Sequence, residues 1–178
     1  MSKRAYDIAF VGLAQGTHLF NYELNDTFFA EYGEVPFKNC NATVQLSIIK
    51  NSSFLQLHFA VGGTATTLCD RCGNDYPLQL WDEFKIVVKM AHNPQQMNDE
   101  EKDPDIYYIS YTDSILVVKD WLYEFVLLSI PMQSMCSEQQ IGAQCNQTVI
   151  SMLQTLSPDT EHKKAVWKDL DKFKNLDN

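Results

Sequence analysis

The sequence predicts an α+β fold, a mainly antiparallel, curled or barrel-like sheet with two to three helices gathered toward the C-terminal end. Three observations carry that expectation. Between residues 40 and 90, long stretches place apolar residues at alternate positions, the period of half-buried strands. Gly62 and Gly63 fall inside one of those stretches, which predicts a bulge or bend that lets the sheet curl. The longer apolar helical patterns lie at and beyond residue 120.

Taken in order, "AYDIAFVGL" and "GTHLFNYEL" alternate on either side of a glycine-containing break, the spacing of two strands in a hairpin. "NDTFFAEY" offers Asn25 or Asp26 as an N-cap before one or two helical turns. "CNATVQLSIIK" and "FLQLHFAVGGTATTL" alternate across an "NSS" turn and form a long antiparallel pair. "YPLQLWDEFKIVVKM" continues as a strand whose buried face holds Leu78, Leu80, Phe84, Ile86 and Val88. "NPQQMNDEEKDPD" is polar and acidic and reads as an exposed loop. "IYYISY" and "SILVVK" are short strands, and "DWLYEFVLLSI" is a helix apolar on most of its circumference, hence buried and ended by Pro131. "NQTVISMLQTL" is a helix capped by Asn146, with Val149, Met152, Leu153 and Leu156 on one side. "SPDTEHKK" is a polar linker, and "AVWKDLDKFKNL" has the pattern of a short amphipathic helix.

With 178 residues the chain can bury about 70% of its unfolded surface, enough for one core. No run of 18 apolar residues predicts a membrane span, and Asp7 interrupts any signal-like stretch near the start, so the expected location is cytoplasmic. The net charge of -9 opposes non-specific attraction to nucleic acid, whose affinity comes from Lys and Arg releasing counterions. Charge is uneven, however. Over residues 161–178 five lysines face four carboxylates, which makes this the least acidic part of the chain. No glycine pattern of a nucleotide site and no nucleophile–base spacing is present, so an enzyme is not expected.

The five cysteines, an odd number, argue against a disulfide framework in a cytoplasmic chain. Cys69 and Cys72 stand two residues apart in "LCDRCGNDYP", at a strand-to-strand reversal. Gly73 can take the positive φ that turns backbone N–H groups toward two thiolates facing one cation. A structural zinc ion needs four donors, and Cys136 and Cys145, on a loop between two helices, are the available others. The 63 residues between Cys72 and Cys136 are no obstacle, because closure entropy grows only logarithmically with loop length. Two other readings stay open here. A redox pair needs Cys69 at a helix N-terminus, and a bare turn needs no metal at all. Cys40 has no partner at ligand spacing and reads as a small core residue.

"YDIAFVGLAQGTHLFNYELNDTFF", "CDRCGNDYPL" and "IYYISYTDSILVVKDWLYEFVLLSIPM", followed by a cysteine-bearing segment and a Trp-containing tail, resemble the YceD family of large ribosomal RNA subunit accumulation proteins. The likeness is most specific at residues 69–72 and at "LLSIP". It implies a single YceD-like domain over residues 1–156, followed by a linker and tail over 157–178. It implies a non-catalytic factor that supports large-subunit rRNA accumulation and ribosome assembly, with rRNA or a basic ribosomal protein as partner, and with neither a membrane nor a small-molecule substrate. Cys69 and Cys72 correspond to the family's cysteine pair, and Cys136 and Cys145 fall where relatives place further donors, completing a structural zinc knuckle. Arg71 at the knuckle tip and Lys163, Lys164, Trp167 and Lys168 in the tail are the expected partner contacts. The alternative function is a thiol redox or redox-sensing protein using the C-x-x-C pair.

Overall fold

The computed structural model describes residues 3–136 and 145–156. Its frame is a five-stranded sheet in the order β2-β3-β4-β5-β6. Four of these strands, β2 (Gly16–Asn25), β3 (Lys38–Lys50), β4 (Phe54–Leu68) and β5 (Asp75–Ala91), run antiparallel to their neighbours, and β6 (Ile106–Ser110) pairs parallel with β5 over Val87–Ala91. The sheet is mixed and open: β2 and β6 lie at opposite edges, and of the curled or barrel-like sheet expected, a closed barrel does not occur among the described residues. A separate two-residue pairing joins β1 (Asp7–Ile8) to β7 (Leu116–Val117).

Alternation decides which face is buried. Ala42, Val44, Leu46 and Ile48 of β3, Leu55, Leu57 and Phe59 of β4, and Tyr76, Leu78, Leu80 and Val88 of β5 all point inward. Helix α3 (Lys119–Leu128) covers them, burying Leu122, Phe125 and Val126. Phe125 stacks on Phe84 with ring centroids 4.4 Å apart and meets Phe59 edge-on at 4.8 Å. Helix α1 (Asp26–Phe29) closes the other end with Phe28 and Phe29, and Asn25 caps it by accepting from the Thr27 N–H at 3.2 Å. Cys40 is buried in this core, and burial, with Asp26 nearby, pushes its thiol up to about 11, as befits a packing residue.

Three local expectations are corrected. The first predicted strand is mostly two 3-10 turns, Lys3–Tyr6 and Phe10–Gly12, and β1 pairs with β7, not with β2. The Lys50 ammonium fixes the second turn by donating to the carbonyls of Phe10, Val11 and Leu13 at 2.8–3.1 Å. The acidic loop contains helix α2 (Pro94–Glu100), held because the Asn98 side chain both accepts from and donates to the backbone of Tyr108. The register shift lies on β3, between Lys38 and Asn41, opposite Thr64–Thr66 and next to the glycines, which face Ala42 and Thr43. Asp26 supports it by accepting from the N–H groups of Asn39 and Cys40.

Gly63 has φ +125°, and a Cβ there would lie 2.2 Å from the Asn41 carbonyl oxygen. The glycine lets β3 and β4 approach beside the shift. Gly63→Ala is therefore expected to cost about 3 kcal/mol or more in chemical denaturation; unchanged stability would show that the strands do not approach this closely.

Candidate metal centre

The β4–β5 hairpin turns at Cys69-Asp-Arg-Cys-Gly-Asn. The Cys69 N–H donates to the Asn74 carbonyl at 2.9 Å, and the Gly73 N–H donates to the Cys69 carbonyl at 2.8 Å. Gly73 takes φ +72°, the left-handed value that the sequence pattern asks for. No helix begins at Cys69, so the dipole that a redox pair of this spacing relies on is missing from the turn.

The second pair arrives after α3. Its C-terminus is followed by Pro131, and residues 131–136 fold back over the hairpin. Asp70 and Ser134 make a reciprocal clip: the Asp70 N–H donates to the Ser134 carbonyl at 2.8 Å, and the Ser134 N–H donates to the Asp70 carboxylate at 2.6 Å. One step further, the Cys136 N–H points at the Cys69 sulfur, 3.5 Å away. Cys145 stands just before helix α4 (Gln147–Leu156), which Asn146 caps by accepting from the Thr148 N–H at 3.0 Å.

Both pairs converge. The sulfur atoms of Cys69, Cys72, Cys136 and Cys145 all lie within 4.8 Å of one another, and all four residues are buried. Cys69 to Cys145 is 4.0 Å, Cys72 to Cys136 is 3.9 Å and Cys136 to Cys145 is 3.1 Å. An ion bound by four thiolates at about 2.3 Å in a tetrahedron separates its sulfurs by about 3.8 Å. These three distances bracket that value, and none is a disulfide bond. The four cysteines could hold one metal ion.

Electrostatics favour a cation there. Burial opposes ionisation of Cys69, but N–H groups of Cys136, Cys72 and Arg71 and the Cys136 side chain together draw its thiol down to about 6. Cys136 moves the opposite way: the hydrogen bond to Cys145, then burial and the neighbouring sulfurs, hold its proton on. The N–H groups aimed at Cys69 favour a thiolate there, and a cation bound among the four sulfurs would favour the thiolate form of each.

A family model described as large ribosomal RNA subunit accumulation protein YceD matches residues 57–176, more than half of the chain. The chain belongs to the YceD family. That membership carries a role in accumulation of large-subunit ribosomal RNA. No curated protein and no solved structure matches the chain. The family match contains all four clustered cysteines and extends into the C-terminal tail.

Arg71 is exposed at the knuckle tip. Lys163, Lys164, Trp167 and Lys168, with the linker and the expected tail helix, lie outside the described residues. Of the apolar stripe expected on α4, Val149 packs against the core, whereas Met152, Leu153 and Leu156 are exposed. Sequence reasoning passed over Asp70 and Ser134. An acidic residue between the two cysteines was the available signal, since its carboxylate reaches a backbone N–H only once the second loop docks. Asp70→Ala is expected to lower the stability of the metal-free protein by about 1–2 kcal/mol in denaturant titration; a value near zero would mean that the clip does not hold the two loops together.

Proposed function

We propose that the protein is a non-catalytic, cytoplasmic factor that supports large-subunit rRNA accumulation and ribosome assembly, and that Cys69, Cys72, Cys136 and Cys145 bind a structural zinc ion. The convergence of four buried sulfurs from two distant segments carries the metal reading, and the family match carries the ribosomal one. A set of four cysteines suits zinc, a borderline-soft ion that takes closed tetrahedral thiolate sites when its role is structural. With all four positions filled by sulfur, no open position remains for a substrate or a water nucleophile.

In this reading the ion ties the tip of the β4–β5 hairpin to the segments that follow α3 and precede α4. Residues 1–156 act as one domain and residues 157–178 as a linker and contact tail. Arg71 presents a guanidinium beside the ion, and Lys163, Lys164, Trp167 and Lys168 extend the contact to rRNA or to a basic ribosomal protein. The acidity of the chain supports the protein partner over a broad electrostatic grip on RNA. No helix among the described residues is long and apolar enough to cross a membrane.

Purified protein is expected to contain one zinc per chain by elemental analysis and to unfold on strong chelation, a loss on the order of 10 kcal/mol. Cys69→Ser and Cys145→Ser should each abolish stoichiometric binding. Metal-free protein of full stability, turning over with a dithiol reductant, would replace this reading with the redox one. Depletion in cells is expected to lower large-subunit rRNA and large subunits together, and Arg71→Glu should complement less well than wild type while retaining zinc. Normal rRNA levels after depletion would refute the ribosomal role.

A further inference from the structure

Strand β5 is 17 residues long, but β6 pairs with only its last five, Val87–Ala91. Along Asp75–Ile86 its second edge has no strand partner among the described residues. The direction of the free groups follows from two hydrogen bonds. The Cys69 N–H bonds Asn74 on the β4 side, and the Val87 N–H donates to the Asp105 carbonyl on the β6 side at 2.7 Å. The β4–β5 register is unbroken between these points. With the two-residue period of a strand, Gln79, Trp81, Glu83 and Lys85 turn their N–H and C=O groups to the free edge. The Glu83 N–H already takes a local substitute, the carboxylate of Asp82 at 2.8 Å.

Beside this edge lies a groove of about 330 Å3, lined by Gln79, Trp81, Asp82, Leu128 and Pro131 among others. Trp81 is 78% exposed and Leu128 57%, large apolar surfaces for positions with no cover among the described residues. Residues 75–86 hold Asp75, Asp82 and Glu83 against Lys85. Asp75 pairs with Lys38 and Glu83 with His58, which leaves Asp82 and Lys85 without ion-pair partners among the described residues, Asp82 in the groove and the segment as a whole net acidic.

We infer that the free edge of β5 at Asp75–Ile86 docks an extended Lys- and Arg-bearing peptide segment of a ribosomal protein, which adds to the sheet as a further strand. This rests on the ribosomal role proposed above and names its partner as protein. Main-chain hydrogen bonds to Gln79, Trp81, Glu83 and Lys85 give the affinity of strand addition, and alternate side chains of the peptide reach the groove or the outer face. A basic side chain meets Asp82 in the groove or lies over the Trp81 ring, where a cation is attracted by the aromatic face. RNA has no backbone that pairs with a strand edge, and its phosphates would meet Asp82 and Glu83 at close range.

The test uses the full zinc-loaded chain and, as probe, twelve-residue synthetic peptides drawn from the basic extensions of large-subunit ribosomal proteins. Hydrogen exchange is read at single amides. Binding is expected to slow exchange at Gln79, Trp81, Glu83 and Lys85, amides that the β4 pairing leaves free. Asp82→Lys and Lys85→Pro should each weaken binding at least tenfold with little change in melting temperature; proline is compatible with this edge position because the N–H it removes makes no ladder bond. The inference is overturned by a panel in which no peptide binds, by binding that leaves those four amides unprotected, by variants that bind as wild type, by protection of the same amides in the free chain, or by their protection on rRNA fragments alone. The two readings fail separately: if depletion lowers rRNA and Asp82→Lys restores it fully, the docking edge is wrong and the ribosomal role stands.

Discussion

Four sulfur atoms packed within 4.8 Å of one another are the constraint around which the rest of the molecule is arranged. Buried thiolates repel one another in a medium that screens poorly, and only a cation among them makes the arrangement favourable as a charged set. Cys69 and Cys136 move in opposite directions, the first lowered against burial by the N–H groups and thiol that donate to it, the second raised by its hydrogen bond to Cys145 and by burial. The hairpin, the residues after α3 and the start of α4 each add to the core, through Tyr76, through Ile130 and Met135, and through Val149 and Ile150. Beyond that packing they are joined by the sulfur cluster, the Asp70–Ser134 clip and the N–H of Cys136 directed at Cys69.

The sheet supplies the rigidity that makes such a site possible. β4 and β5 are long, paired in unbroken register, and buried on one face by α3, so the turn between them is held at a fixed place. Phe59, Phe84 and Phe125 lock α3 onto that face. Because α3 ends just before residues 131–136, its packing also sets where the second loop can reach. The metal proposal and the docking proposal thus share a scaffold: α3 delivers Cys136 to the hairpin tip and, with Leu128 and Pro131, walls the groove beside the open edge of β5.

What could be read from the sequence was whatever depends on residues close in the chain. Alternation placed β3, β4 and β5, Asn25 and Asn146 marked two helix starts, and the C-x-x-C-Gly spacing marked the knuckle turn. Non-local interactions were the source of the errors. Apolar alternation over residues 5–13 looks like a strand, but the Lys50 ammonium gathers three carbonyls there into a turn. α2 has no apolar stripe, and its anchor is an Asn98 bond to a strand ten residues away. The glycines did signal distortion, yet the register shift fell on the neighbouring strand, where Asp26 supports Asn39 and Cys40. Barrel closure needed β2 and β6 to meet, and local sequence carries no information about that. The pairing of Cys69 and Cys72 with Cys136 and Cys145 follows from the donor count zinc requires and from family likeness, while the Asp70 clip shows in the sequence only as an acidic residue between two cysteines, its partner Ser134 being 64 residues away.

In the proposed centre these four sulfurs, and no other groups, surround one ion. X-ray absorption at the zinc edge on the purified full chain tests it most directly. The expected spectrum shows a single shell of four sulfur neighbours at about 2.3 Å, with no nitrogen or oxygen ligand. A first shell containing three or fewer sulfurs, or a water oxygen, would contradict it, because the site would then be open and the chemistry assigned to this fold would have to be reconsidered.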